Sequence, residues 1–572
     1  MTRDVMEYDV IIVGAGPAGL SAAIRLKQLS PDLSVVVLEK GAEVGAHILS
    51  GAVLDTSALS RLIPDWAARG APIRQAVTED QMLLLGASRH LRIPNMLMPP
   101  MMHNDGAFIV SMGEVTAWMA REAEALGVEI FAGMAASELL FDDAGAVQGV
   151  VAGEFGLIAD PENPAGIPGP HYEPGVALHG KYTMLAEGAR GSLSKQVIAH
   201  FDLDADCDVP KFGIGLKELW QIDPAQHVPG RVTHVMGWPL GLGTTGGGFI
   251  YHAEGGLVSI GLIVDLNYKN PYLDPYLEFQ RLKHHPLIAK LLSGGQRIGY
   301  GARAVTKGGF QSIPQSAFAG GMLLGCAAGL VNLPRIKGNH NAMQSGIDAA
   351  EAAFAAIGAG RAGDRVADYD QTLRTGPVGQ DLRPVRNVAP LNGRFGLLGG
   401  LALGGFDMWC QTLFKASIFG TLLHGKTDAA ATQPASQHRP IDYPKPDGVL
   451  SFDRVTNLAY SGTNHDEGQP AHLRLTDPAL PLSLSSPCRS MPSPRSAIAP
   501  PASMRSSPTT MARAFRSIFR TACIARPATS KIRRRTSLGS RRRAVTGRPI
   551  RACKRPIIRP TLLCIATMGH AA

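Results

Sequence analysis

The strongest constraint on the fold of this chain sits in residues 8–39, YDVIIVGAGPAGLSAAIRLKQLSPDLSVVVLE. Val10 to Val13 form a short apolar run, as expected of a parallel strand buried on both faces. Gly14, Gly16 and Gly19 follow in G-x-G-x-x-G spacing, directly before an Ala-rich helical stretch from Leu20 to Leu29. A second apolar strand, Ser34 to Leu38, ends in Glu39. Each part has a mechanical reason. Gly14 permits a tight turn, Gly16 lets the backbone approach a pyrophosphate, and Gly19 lets helix and strand pack closely. Free N–H groups at the helix start present partial positive charge to phosphates. Glu39 can accept hydrogen bonds from a ribose 2′-OH and disfavours a 2′-phosphate. The order strand, glycines, helix, strand, acid predicts a Rossmann-like dinucleotide site, with Pro17, Ala18 and Lys40 as further cofactor-binding candidates.

Two later segments favour FAD over NAD. Residues 181–192, KYTMLAEGARGS, resemble the flavoprotein segment that ends beside the first glycine turn and place Gly188 at the cofactor. Residues 320–349, GGMLLGCAAGLVNLPRIKGNHNAMQSGIDA, resemble the flavin-proximal strand, turn and helix, with Gly325, Gly329, Gly338 and Asn339 as candidates. Many flavoproteins carry Gly-Asp at this turn. Here Gly325 is followed by Cys326, which puts the usual acid contact to the ribityl chain in doubt; the thiol itself reads as a small buried filler. His340 is as compatible with a structural role as with a functional one.

Charge separates the chain into two unlike parts. Of 56 Lys and Arg, 19 lie after Pro478, where no Asp or Glu occurs, so the preceding body, holding all 47 acids, is net acidic. A nucleic-acid-binding role for the body is therefore excluded. Seven cysteines in 572 residues do not make a disulfide scaffold. No secretory or transit segment precedes the strand expected near Tyr8, and no uninterrupted apolar run is long enough to span a bilayer. Two segments suit a membrane surface instead: LRIPNMLMPPMM (91–102), and RFGLLGGLALGGFDMWCQTLFKASIFGTLLHGK (394–426), which Asp407 and Lys415 interrupt. Trp409 suits the headgroup boundary.

Several further stretches sharpen the reading: GAEVGAHILSGAVLD (41–55), GIGLKELW (213–220), GGGFIYH (246–252), NPYLDPYLEFQRLKHHP (270–286), GYGARAVTKGGFQSIP (299–314) and YPKPDGVLSFD (443–453). Together they resemble the electron-transfer flavoprotein:ubiquinone oxidoreductase family, from Tyr8 to about Leu482. The resemblance implies an α/β fold, α+β overall. A Rossmann-like FAD-binding domain (1–75, 110–200 and 300–380) is interleaved with a quinone-binding β-sheet domain (76–109 and 201–299). A membrane-surface segment (381–440) and the start of a ferredoxin-like domain (441–484) follow. It implies FAD and one 4Fe–4S cluster as cofactors, with electron-transfer flavoprotein, ubiquinone and a membrane surface as partners and no nucleic acid. Gly246 and Gly247 match the family's pair against the quinone headgroup, where glycine lets backbone N–H groups approach a carbonyl oxygen. The expected location is peripheral, monotopic, on the cytoplasmic face of a bacterial inner membrane. No acid–base catalytic residue is assigned. A related FAD-dependent dehydrogenase or prenyl reductase would share the glycine motifs but leaves YPKPDGVLSFD and TNHDEGQPAHLRL (463–475) unexplained.

From about residue 485 the resemblance stops. The family implies a lone Cys in Y-C-P-A-G-V-Y-E and then C-x-x-C-x-x-C, but Cys488, Cys523, Cys553 and Cys564 have no such spacing, so no metal ligands are assigned. Back-translation recovers the pattern. IAPPASMR (498–505) can be written ATT GCC CCG CCG GCG TCT ATG AGx, which after a T reads Y-C-P-A-G-V-Y-E in another frame. RTACIARPATSKIRRRTSLGS (520–540) and RRAVTGRPIRACK (542–554) permit the cluster motif and a terminal stop in the same offset. One base lost, or two gained, between the codons for Leu482 and Cys488 accounts for all three. On that reading 485–572 is an out-of-frame basic tail, the chain binds FAD without a cluster, and its natural activity is impaired. The rival reading is a genuine basic tail that binds nucleic acid or anionic lipid.

Overall fold

A computed structural model describes residues 3–49, 51–160, 163 and 166–462. The tail at 485–572, with its four cysteines, lies outside the described residues.

The first strand, Val5–Val13, starts earlier than Tyr8, and Val10, Ile11 and Ile12 have no exposed surface. It runs parallel to Val35–Glu39 on one side (Val10↔Val35 to Val13↔Leu38) and to Ile167–Leu185 on the other (Val10↔Tyr182 to Val13↔Leu185). Glu129–Ala132 and Gly321–Leu323 extend the parallel core. Ala317–Phe318, Val147–Ile158 and Ala136–Phe141 add antiparallel strands, making eight in all.

The helix after the glycine turn begins at Pro17, not Leu20. Proline's fixed φ and missing N–H suit the first helical position. Gly19 is tolerated inside because a Cβ there would lie 2.1 Å from the Gly14 carbonyl oxygen. This helix crosses Asn339–Gly358 at Gly346, whose Cβ would sit 2.2 Å from the Ala18 carbonyl oxygen.

A second sheet of seven strands stands across from the first, in the order Gln296–Thr306, Phe212–Gln221, Leu257–Asp265, Gly246–His252, Arg231–Gly237, Glu79–Leu85, His90–Ile93. All neighbours are antiparallel except Arg231–Gly237 with Glu79–Leu85. One face is covered by helices Pro275–Lys283 and Pro286–Leu292, packed on Leu216, Trp220, Ile260 and Leu262. Against that face, the fully buried Lys283 ammonium donates to both oxygens of the equally buried Glu218 (2.8 and 2.9 Å). Trp220 Nε1 and Asn457 Nδ2 also donate to Glu218 (2.9 Å each), tying residues 453–461 to the sheet. The opposite face, with Lys217, Leu219 and Phe249, looks into the space between the two sheets.

Residues 91–102 form two 3₁₀ turns, Asn95–Leu97 and Pro100–Met102, separated by prolines. The apolar stretch after residue 387 is a helix, Val388–Phe414, broken at Gly396 (φ 65), a backbone conformation that glycine alone adopts without strain. Trp409 Nε1 donates to the Leu97 carbonyl (3.0 Å), joining the two segments. Large apolar side chains are exposed on both: Leu91, Met96 and Leu97 on the first and Phe395, Leu398, Phe406, Leu413 and Phe414 on the second, Met96 being 81% exposed, and the Trp409–Leu97 bond brings this apolar face together. Among the described residues no helix is long and apolar enough to cross a membrane.

Candidate functional site

The two sheets enclose one continuous cavity of about 4700 Å³, running from the Gly14–Gly16 turn to the apolar face just described. At the first end, Gly14 has φ 107 and its Cβ would meet the Ala186 carbonyl oxygen at 2.6 Å, so both backbones approach only because the side chain is absent. Gly16 differs. It caps the helix in an ordinary extended conformation, and a Cβ there would meet no protein atom within 4 Å. No side chain caps this helix, so its first N–H groups face the cavity. That open cradle at an uncapped helix start fits a pyrophosphate.

Glu39 is held at the strand end by two backbone donors, Ala15 N–H to Oε2 (3.1 Å) and Gly41 N–H to Oε1 (2.7 Å), leaving lone pairs for a ribose. Glu187 accepts from Leu193 N–H (3.2 Å), Ser194 N–H and Ser194 Oγ (2.6 Å each), which fixes the turn at Gly188. Three cations line this part. Burial lowers Lys40, and Arg303 beside it adds to the effect. Burial also lowers Arg303, whose guanidinium donates to the His47 carbonyl. Lys217 donates to the carbonyls of Leu49 (2.9 Å) and Gly51 (3.0 Å), and burial brings its ammonium down to about 7. This cationic lining matches a diphosphate charge.

Midway, the Gly325 N–H donates to Ser345 Oγ (2.9 Å), and Gly325 (φ 58) packs between Ala18 and Ala342. Cys326 follows on the cavity wall, where burial pushes its thiol up and a hydrogen bond with Thr306 opposes the shift. The helix Asn339–Gly358 points its uncapped start at the same space through Gly338, Asn339 and Ala342. A positive helix end stabilises negative charge developing on a ring bound beside it.

At the far end, Gly246 and Gly247 open the strand Gly246–His252 instead of forming a turn. Their Cβ atoms would meet the carbonyl oxygens of Ile263 at 2.3 Å and Val235 at 2.9 Å. Beside them His234 Nε2 meets Tyr251 Oη (3.1 Å). Burial, with the Lys337 ammonium nearby, lowers His234 to about 3, and burial raises the Tyr251 phenol. The mouth is apolar, lined by Met98, Met102, Leu401 and Met408.

Of the residues singled out from the sequence, Gly14, Gly16, Pro17, Ala18, Glu39, Lys40, Gly188, Gly338, Asn339, Gly246 and Gly247 line this single cavity. Gly19, Gly325 and Gly329 do not form its wall; the first two pack behind it. His340 faces away and joins Asp381 (3.1 Å). Lys217, His234, Tyr251 and Arg303 were not singled out, because strand pairing across distant sequence brings them in, and Lys337, next to Gly338, was passed over because its partner Asn104 is remote in sequence. Among the described residues no group of three or more His, Cys, Asp or Glu could hold a metal ion.

Three family models match the chain: "ETF-QO, ubiquinone-binding" over residues 212–305, the Thi4 family over 1–61, and "Electron transfer flavoprotein-ubiquinone oxidoreductase, 4Fe-4S" over 448–507. The electron transfer flavoprotein-ubiquinone oxidoreductase of Pseudomonas aeruginosa is 46% identical over 501 residues, covering 86% of this chain and 90% of that protein. The mitochondrial protein of the same name from Homo sapiens is 47% identical over 495 residues, covering 84% of this chain and 79% of its own. Among solved structures, a geranylgeranyl bacteriochlorophyll reductase-like protein from Thermoplasma acidophilum aligns with a TM-score of 0.47 at 15% identity, over 72% of this chain and 97% of its own. A flavin-dependent brominase aligns with the same TM-score at 17% identity, over 72% and 91%.

Proposed function

The chain belongs to the electron transfer flavoprotein-ubiquinone oxidoreductase family, and on that premise we propose how its cavity serves electron transfer from electron transfer flavoprotein to ubiquinone through FAD. The observation that carries the reading is the continuity of one cavity from an uncapped helix start to an apolar mouth. FAD, when bound, supplies redox chemistry that can take electrons singly and deliver them in pairs.

The residues divide the work. Gly14 and Gly16 admit the pyrophosphate to the N–H groups that follow, while Glu39 receives the adenosine ribose. Arg303 and Lys40 offset the diphosphate charge. Gly338 and Asn339 aim their helix start at the flavin ring. Gly246 and Gly247 let their strand pack close to Ile263 and Val235 and so present bare backbone to the quinone headgroup on the cavity wall, and the methionine-lined mouth accommodates its apolar tail. Met is suited to that task because its flexible thioether fits irregular apolar partners. FAD-binding residues therefore fall in 1–75, 110–200 and 300–380, and quinone-binding ones in 76–109 and 201–299, with Leu401 and Met408 of the 381–440 segment added at the mouth.

A quinone dissolved in a bilayer needs a port at its surface. The apolar face around Met96, Leu97, Phe406 and Phe414 adjoins the cavity mouth and supports a monotopic seat on the membrane.

The family's cluster does not fit the donor set of this chain. The match over 448–507 contains a single cysteine, Cys488, and four thiolates at their spacing are required. A frame break between the codons for Leu482 and Cys488 accounts for that loss, and no step is assigned to a cluster. Iron analysis of the purified chain should find well under one iron per flavin; about four would refute this part.

The test of the main reading needs no cluster. The purified chain should carry one FAD, and a short-chain ubiquinone analogue should oxidise its photoreduced flavin in stopped flow. Failure of the quinone to oxidise the flavin sinks the reading.

A further inference from the structure

The wall of the quinone end separates two spaces. Behind it lies a second, small cavity of about 330 Å³, lined by His103, Asp105, Asn332, Arg335 and Asp381 among others, with Asp105 almost fully exposed. Two segments make the partition, and their side chains alternate across it. In 99–105, Pro99 and Met102 face the large cavity while Pro100, Met101 and His103 face the small one. In 332–338, Ile336 and Lys337 face inward while Asn332 and Arg335 face outward. Inside the partition, Lys337 (4% exposed) donates to Asn104 Oδ1, and Asn104 is itself 2% exposed. Asp80 fixes that amide by accepting from Asn104 Nδ2 (2.7 Å) and N–H (3.2 Å), so the amide oxygen is turned to the ammonium.

Resting on the quinone reading above, we propose that Lys337 supplies protons to the quinone end of the cavity, held by Asn104 and Asp80 and recharged from the small outer cavity. Reduction of a quinone to a quinol takes two electrons, which originate in reduced electron transfer flavoprotein and arrive by way of FAD, and two protons. For each proton a Lys337 N–H bond breaks and an O–H bond forms on the quinone oxygen. The free amine is then reprotonated by hydronium or a buffer acid arriving through the outer cavity on the Asn332 and Arg335 side, and the conjugate base returns to solvent.

The neighbours support the assignment. Burial and Arg335 bring Lys337 down to about 8, against the pull of Asp55, Asp80 and Asp381. His234, lowered to about 3, is neutral at physiological pH. Burial raises Asp80, while Asn104, Lys337 and His103 pull it back. Lys217 also titrates near neutrality, but it has no acid beside it and its ammonium is committed to two carbonyls away from the partition. Because the ammonium is the donor, quinol formation is fastest below the pKa of Lys337 and declines as pH rises through about 8.

The experiment uses the FAD-loaded chain, photoreduced and mixed with a short-chain ubiquinone analogue across pH 6 to 10. Expected are a rate decline centred near 8 in the unsubstituted protein, and a loss of about 10²-fold below pH 7 in Lys337→Met, with the decline abolished. Lys337→Arg keeps the charge without a transferable proton and should be equally slow. Recovery of the rate in that variant would overturn the proposal, as would an unchanged pH profile in Lys337→Met. A second readout is independent of turnover: competitive acetylation followed by mass spectrometry should place half-reactivity of Lys337 near pH 8, and lower in Asp80→Asn. Reactivity typical of a surface lysine would also overturn it. If quinone fails to oxidise the flavin even in the unsubstituted protein, the quinone reading falls and takes the proton assignment with it. If only the lysine variants behave as wild type, the proton assignment falls alone.

Discussion

Gly16 and Gly19 sit three residues apart in one motif, yet the structure gives them opposite duties, and a pair of alanine substitutions separates them. In Gly16→Ala the backbone is extended and the new methyl meets no protein atom within 4 Å. Only the weaker capping preference of alanine opposes folding, about 0.5–1 kcal/mol. The methyl instead occupies the approach to the N–H groups of the first helical turn. Losing or lengthening two charge-assisted hydrogen bonds, each worth about 1.5–3 kcal/mol, should weaken FAD binding by about 3 kcal/mol, roughly a hundredfold in Kd. In Gly19→Ala the methyl lands 2.1 Å from the Gly14 carbonyl oxygen, a backbone atom that cannot rotate away. That substitution should destabilise the apoprotein by about 3 kcal/mol or more, in the manner of overpacking. Urea unfolding of the apoproteins and fluorescence titration with FAD read the two quantities separately. The reasoning is refuted if Gly16→Ala binds FAD within threefold of the parent, or if it destabilises the apoprotein as much as Gly19→Ala.

Asp348, buried in the Asn339–Gly358 helix with only Gln344 donating to it (2.7 Å), is raised to about 6 by burial. A carboxyl raised on folding adds stability below its unfolded pKa and loses it as pH rises through 6. Asp348→Asn should therefore stabilise the protein at pH 8 by about 1–2 kcal/mol and leave it unchanged at pH 4; equal unfolding midpoints at pH 8 would contradict this. Lys283→Met strands the buried Glu218 carboxylate and should cost about 3–5 kcal/mol in urea unfolding, much of it recovered by adding Glu218→Gln; a cost below 1 kcal/mol would mean the pair is not isolated from water. Met96→Glu with Phe414→Glu should abolish flotation with anionic vesicles while leaving the flavin spectrum intact, whereas undiminished flotation would place the membrane contact elsewhere.

The first βαβ unit was legible because its determinants are local: an apolar run, a turn that needs Gly14 at positive φ, and an acid at the strand end. The helix start was misplaced from Pro17 to Leu20 because Gly19 reads as a breaker until the carbonyl that it packs against is seen. The second sheet hid more. Lys217 and Glu218 are neighbours in sequence, but strand alternation sends one into the cavity and the other under the Pro275–Lys283 helix, beside Lys283. Period-two patterning fixes which residues share a face, yet it does not say which face meets the cofactor. Lys337 and Asn104 are 233 positions apart, and no local signal connects them.

The parallel pairing inside the second sheet sets a schedule for the growing chain. Strand Glu79–Leu85 carries Met82, Leu83 and Leu85, all buried in the finished protein, but its partner begins 152 positions later, at the Arg231–Glu79 ion pair. At about 5–20 residues per second on the ribosome, that edge waits roughly eight to thirty seconds for its complement. During the wait the hairpin Glu79–Ile93 is an apolar two-stranded ribbon, too small to be stable alone. Fragments ending before residue 231 should accordingly collect in inclusion bodies or on chaperones, even though the first βαβ unit, Val5 to Glu39, is already synthesised.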